Sequence, residues 1–183
     1  MLNQKSPRVL FLVFSLAVII LSPIFIAFLP IGVVETRYHN RENILLLIPR
    51  NNFYLMTGAM ALIVSTLVVL AWKRKILTYT LAVLFIAGSG LMTYYSTLSY
   101  TAIQKSGLIL KEYHTVKDYA WSDIAEVVYE YETYTPGVYT FTTKEGEIFE
   151  IEENGQFGPG ERLEIYNVVM SQGISFIERE KSS

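Results

Sequence analysis

The densest group of chemically capable side chains is acidic. Glu145, Glu147, Glu150, Glu152 and Glu153, followed by Asn154-Gly155, crowd the kind of oxygens that a hard cation such as calcium needs. The run lacks the regular D-x-D-x-D-G spacing and falls largely on a strand, where neighbours point to opposite sides. It therefore reads as a solvated acidic surface, and no metal is expected. The histidines are isolated. His39 lies among Arg37 and Arg41 as a loop residue, and His114 has no second His and no Cys nearby to share a transition metal. Cysteine is absent, which excludes a thiol enzyme, a zinc ribbon, a disulfide scaffold and lipoprotein processing. No Ser/His/Asp set, phosphate-cradling glycine loop or glycosidase-like carboxylate pair has a supporting context. The expectation is a protein that is not an enzyme, with no catalytic residue and no cofactor.

Two further groups have structural readings that suffice. Trp121 is expected to fill a core and Asp123 to cap a turn through neighbouring amides. Tyr113, Tyr119, Tyr129, Tyr131, Tyr134, Tyr139 and Tyr166 could line an aromatic groove. The simpler expectation is that each packs its ring and wets its hydroxyl.

The elements that carry these residues divide the chain in two. Of 183 residues, 51% are hydrophobic and the mean hydropathy is +0.32, while the formal charge of −2 hides a split. Residues 1–95 hold eight basic and two acidic side chains, net +6; residues 96–183 hold seven and fifteen, net −8. No Lys/Arg stripe exists to neutralise phosphates, so nucleic acid is not an expected partner.

Uncharged apolar runs at 9–29, 53–72 and 76–95 each match the ~20 helical residues that cross a bilayer. Pro23 should bend the first helix without ending it. That run is too long for a signal-peptide core and lacks a small-residue cleavage site, so an uncleaved signal-anchor is expected. None of the runs contains Asp, Glu, Lys, Arg or His, which argues against pumps, proton-coupled transporters and intramembrane proteases. Their hydroxyls are expected to bond back to helix carbonyls. Gly58, residues 61–65 and Gly88-Ser89-Gly90 offer small surfaces for helix packing or self-association. Basic residues near the membrane number five on each side. The compact Lys73-Arg74-Lys75 turn favours a cytoplasmic N-terminus and an extracytoplasmic C-terminal domain in the cell membrane. Within the 30–52 loop, the apolar stretch 44–48 has two open fates: lying in the interface, or packing against the C-terminal domain.

After residue 95 the pattern shortens to strands at 100–104, 108–113, 115–119, 127–134, 138–143 and 147–152. Lys105-Ser106-Gly107, Thr135-Pro136-Gly137 and Lys144-Glu145-Gly146 read as turns. Gly158-Pro159-Gly160-Glu161 opens a helix with Leu163, Ile165, Tyr166, Val169 and Met170 on its apolar face; Gly173 ends it. An extended segment at 174–177 follows.

This order, with Gly107-Leu108-Ile109 opening a strand and the corner Trp121-x-Asp123-Ile124, resembles the bacterial pleckstrin-homology-like (bPH) domains over residues 99–178. Such domains commonly follow membrane helices in bacterial proteins. The resemblance implies a seven-stranded barrel capped by a helix, usually non-catalytic, with Gly107, Trp121, Asp123 and Ile124 as its structural motif. The expected fold is thus an α+β membrane protein: a transmembrane region over 1–98, then a small antiparallel β-barrel with a C-terminal helix over 99–183. A charge of −8 opposes anionic headgroups, so the domain is expected to bind a protein, such as a basic segment or an added edge strand. The alternative is an accessory subunit of a transporter, or an immunity protein, acting through its helices.

Overall fold

The computed structural model describes residues 6–72, 75–132 and 135–180. Lys5, the Lys73-Arg74 part of the basic turn and Tyr134 lie outside the described residues. Two compact units emerge, one from residues 1–38 and 48–99, the other from 39–47 and 100–183.

The first unit holds α1 (Pro7–Tyr38), α2 (Arg50–Trp72) and α3 (Ile76–Tyr95), all three long and apolar enough to cross a membrane. α1 runs well past the apolar stretch that marks it, through both Pro23 and Pro30. Pro23 has no N–H to offer the carbonyl of Ile19, and the Ser22 hydroxyl donates to that oxygen instead at 2.8 Å. Thr57, Thr66 and Thr80 likewise donate to carbonyls four residues back.

α2 packs against both α1 and α3. Its Met56, Ala59 and Met60 are buried with Val18, Ile26, Leu29 and Met92. Small residues set the approach to α3: a Cβ on Gly58 would lie 3.0 Å from the Met92 sulfur, and one on Gly88 3.2 Å from Leu62. Asn52 and Ser96 are polar and fully buried. Asn52 donates from Nδ2 to the Ser99 carbonyl at 2.7 Å, fastening the end of the α3 segment to the start of α2. Ile20, Phe28, Ile76 and Val83 turn outward, each about two-thirds exposed or more, a surface suited to lipid.

Among the described residues, the second unit has eight strands in two four-stranded sheets. The first sheet runs β1 (Asn43–Leu47), β2 (Tyr100–Gln104), β3 (Gly107–Glu112), β4 (Thr115–Ala120), all antiparallel neighbours. β1 is the apolar stretch of the loop between the first two long helices, so 39–47 belongs with this unit and not with the helices that flank it. Leu45 pairs with Ile103 and Leu47 with Thr101, while the Gln104 side chain donates to Asn43 across the ladder. The physical cause is edge completion. Four apolar residues are too few for a stable helix, and as a strand they bury their side chains and satisfy the open edge of β2.

The second sheet is ordered β7 (Ile148–Glu152), β6 (Thr135–Thr143), β5 (Ile124–Glu132), β8 (Ser175–Glu180). Here the expected closed antiparallel barrel is corrected. β8 lies parallel to β5 after the crossover through α4 (Pro159–Ser171), and no ladder joins the two sheets among the described residues. At one opening β4 meets β7 by side chains alone: Lys117 pairs with Glu147, and Tyr119 stacks on Phe149 at 4.8 Å. At the other, α4 packs against β8 and β1. Both sheets and the helix share one core, with Leu45, Ile103, Leu108, Val127, Phe141 and Ile165 inside it.

Two local readings also change. Thr135-Pro136-Gly137 is the start of β6 and not a turn. The β6–β7 ladder begins only at Val138, so the missing N–H of Pro136 costs β7 nothing. On α4, Ile165 and Val169 are buried, whereas Leu163, Tyr166 and Met170 are 61%, 42% and 50% exposed. The helix opens as its residues dictate, with Pro159 in the first turn and the Gly158 amide donating to Glu161. It closes at Gly173, whose φ of +70° suits glycine.

Candidate functional site

The motif residues form a corner, not a pocket. Gly107 pairs with Ala120 where β3 meets β4. The chain then makes a single 3-10 turn, in which Asp123 accepts from the Ala120 amide at 3.1 Å and from the Ser122 hydroxyl. Trp121 is 2% exposed, and its indole N–H donates to the Gln104 carbonyl at 3.0 Å. Ile124 is buried beside it in the core. Every polar atom named here is directed at neighbouring chain, which makes the corner a joint between the two sheets.

The acidic run is split by strand alternation. Phe149 and Ile151 point inward from β7, and Glu153, two residues on, continues that parity. Glu145, Glu147, Glu150 and Glu152 are exposed, but Glu153 is only 5% exposed, which corrects the reading of the whole run as solvated. No group of three or more His, Asp or Glu suited to a metal occurs among the described residues. His114 sits in the two-residue turn between β3 and β4, and His39 precedes β1; both are exposed.

Glu153 lies in a cleft of about 530 Å³ between α4 and the end of the second sheet. One wall is tyrosine. Tyr129 and Tyr131, two apart on β5, share a face with rings 6.1 Å apart, and Tyr139 of β6 meets Tyr129 at 4.5 Å. The other wall is Arg162, Leu163 and Tyr166 of α4, with Tyr166 set edge-on to Phe176 of β8 at 5.2 Å. Glu132 and Glu178 stand at the rim. The exposure of Leu163 and Tyr166 is explained by this cleft.

Gly137 makes the tyrosine wall possible. Its φ is not positive; glycine is required because a Cβ would stand 2.5 Å from the Tyr129 ring. Its amide donates to Glu153 Oε2 at 3.3 Å, and Arg162 Nη2 donates to the same oxygen at 2.8 Å. Glu153 Oε1 is buried without a hydrogen-bond partner among the described residues. A buried carboxylate oxygen left without a donor is costly and calls for an explanation.

Burial, and after it the Glu153 carboxylate, pushes the Tyr139 phenol well above its ordinary value. Tyr129 is raised by the same two causes in the same order. A phenol whose pKa is higher folded than unfolded stabilises the fold fully below its unfolded value of about 10 and loses that contribution as pH rises through the folded value. The protein is expected to unfold steeply on the alkaline side of pH ~10, and Tyr139→Phe to flatten that limb while leaving neutral stability nearly unchanged. Circular dichroism with tyrosinate absorbance, both scanned with pH, checks this: ionisation of Tyr139 ahead of unfolding would contradict it.

Chemically, the cleft offers π faces, a buried carboxylate beneath them and an excess of negative charge. Along the sequence the tyrosines and the glutamates stand as separate groups; the shared parity of Phe149, Ile151 and Glu153 is the one signal there that joins them. No protein-family model matches the chain, and no curated protein matches it significantly.

Proposed function

We propose that this chain is a three-pass protein of the cell membrane whose eight-stranded domain is a non-catalytic module that binds a protein partner. One observation carries the reading: a formed cleft with an unpartnered, buried carboxylate oxygen, in a domain on the same chain as three membrane-length helices. The Trp121–Ile124 corner and a helix at one sheet opening support a bPH-like assignment for the domain, although its two sheets and parallel β8 depart from the seven-stranded barrel. The domain's net charge of −8 favours a partner with basic surface over an anionic bilayer. The N-terminus is cytoplasmic and the domain extracytoplasmic in this reading, on the density of positive charge in the turn after α2.

Two experiments test it. Single cysteines at Ser106 and at Lys75 of this Cys-free chain are exposed to a membrane-impermeant thiol reagent in intact cells. Labelling at Ser106 with protection at Lys75 is expected, and the reverse overturns the topology. Photo-crosslinking residues placed at Tyr131 and at Ile20 then locate the partner. A protein adduct at Tyr131 is expected; adducts confined to Ile20 would instead favour an accessory or self-protection role acting through the helices.

A further inference from the structure

The chemistry of the cleft names a class of ligand, and this step rests on the binding-module reading above. We infer that the cleft receives a cationic nitrogen side chain, the guanidinium or primary ammonium of an Arg or Lys in a basic segment of the partner.

Three independent features agree. The first is the buried acceptor with a bond to spare. Among the described residues the Gly137 amide and Arg162 bond Glu153 Oε2, the Tyr129 hydroxyl lies beside the same carboxylate, and Oε1 is buried without a hydrogen bond. N–H groups brought over the carboxylate answer its charge, and reach Oε1 where the rings above it shift; a carbonyl, an ether or a phosphate brings no donor. The second is the wall. The rings of Tyr129, Tyr131 and Tyr166 present π faces and edges around the same space, and a cation held against an aromatic face gains most where water is partly excluded. The third is charge. Glu132, Glu153 and Glu178 face a single Arg162, so the lining is net −2. An anion drawn to Arg162 would have to displace Glu153 from it while facing two further carboxylates. A purely apolar group would cover the carboxylates of the lining without pairing them. A cation with N–H donors answers all three demands at once.

A peptide source fits the shape. The cleft is open to solvent at its rim, where Tyr131 is 41% exposed and Glu178 is exposed, so a side chain can enter while its backbone stays outside. The rim carboxylates then meet neighbouring basic residues of the same segment, and they give binding a salt dependence.

The test is calorimetric titration of the full chain in detergent micelles. The probes are N-acetyl-arginine methylamide, N-acetyl-lysine methylamide, the uncharged N-acetyl-norleucine methylamide, and a capped peptide with Arg flanked by Lys. Saturable binding of the Arg and Lys probes is expected, with none for norleucine, and the peptide is expected to bind about tenfold tighter than the single residue. Tyr131→Leu and Glu178→Gln, both at exposed rim positions, are each expected to weaken the peptide several-fold with an unchanged circular dichroism spectrum. Glu153→Gln is expected to abolish binding, but it also disturbs the Arg162 pair, so the two rim variants are the deciding ones.

Absence of saturable binding by either cation on folded protein overturns the inference, as does equal affinity in both rim variants. Binding of the single residues with exclusion of the peptide overturns the peptide source and assigns the cleft to a free amine. If a protein adduct forms at Tyr131 while no cation binds, the module reading stands and the ligand class falls. Adducts at Ile20 alone, with cation binding intact, remove the module reading and leave the cation site.

Discussion

The Gly107→Ala variant is expected to lose about 3 kcal/mol of stability, among the larger effects of a single methyl group. A Cβ at this position would stand 2.2 Å from the Tyr119 carbonyl oxygen and 3.1 Å from the Ala120 Cα. Both obstacles are backbone, so no rotamer change relieves them. Nor can the strands slide apart. Gly107 pairs with Ala120 at the end of the β3–β4 ladder, and the Trp121 amide donates to the Ser106 carbonyl next door. Separating them would pull Trp121 away from Gln104 and open the joint between the sheets. Gly155→Ala is the control, because nothing lies within 4 Å of where its methyl group would stand and its φ is not positive; its cost should stay within about 0.5 kcal/mol. Denaturant titration of the full chain in detergent, following Trp121 fluorescence in a Trp72→Phe background, measures both. Equal stability of the two variants would contradict the close approach.

Phe141→Ala is expected to cost more, about 4 kcal/mol, and to leave the domain only marginally folded. Phe141 is fully buried and stands at the centre of the aromatic core. Its ring lies 5.2 Å from Phe149, 6.3 Å from Tyr139 and 6.4 Å from Trp121. Truncation removes the transfer free energy of the ring and leaves a cavity lined by rigid aromatics, which collapse poorly into it. Phe141→Leu refills most of the space and should recover more than half of the loss. The same denaturation experiment reads both. A Phe141→Ala cost below ~1 kcal/mol would mean that the core around it repacks freely.

Much of this molecule is legible along the chain because the deciding signals are local. Three charge-free runs near twenty residues mark the long helices, and the alternation in β5 and the turn at Lys144-Glu145-Gly146 mark strands and a hairpin. Pro159 and Gly173 bracket α4 because their backbone preferences act on their own positions. Misreadings arise where the deciding partner is distant. Residues 44–48 have two open fates along the chain because the edge they complete belongs to β2, more than fifty residues later. Thr135-Pro136-Gly137 has turn chemistry but no turn, since Gly137 answers to the ring of Tyr129 across the ladder.

By itself, then, the sequence determined the division into an apolar helical unit and an acidic strand-rich unit, along with most element positions. Burial of apolar runs and the two periodicities follow from residue order alone. The tertiary structure decided that the strands form two sheets with a parallel edge strand in place of a closed barrel. It also decided that one glutamate of a solvated-looking run is buried beside Arg162 under a tyrosine wall. Strand pairing and burial depend on contacts between residues far apart in the chain, and for Glu153 that difference turns an ordinary surface carboxylate into the floor of a cleft.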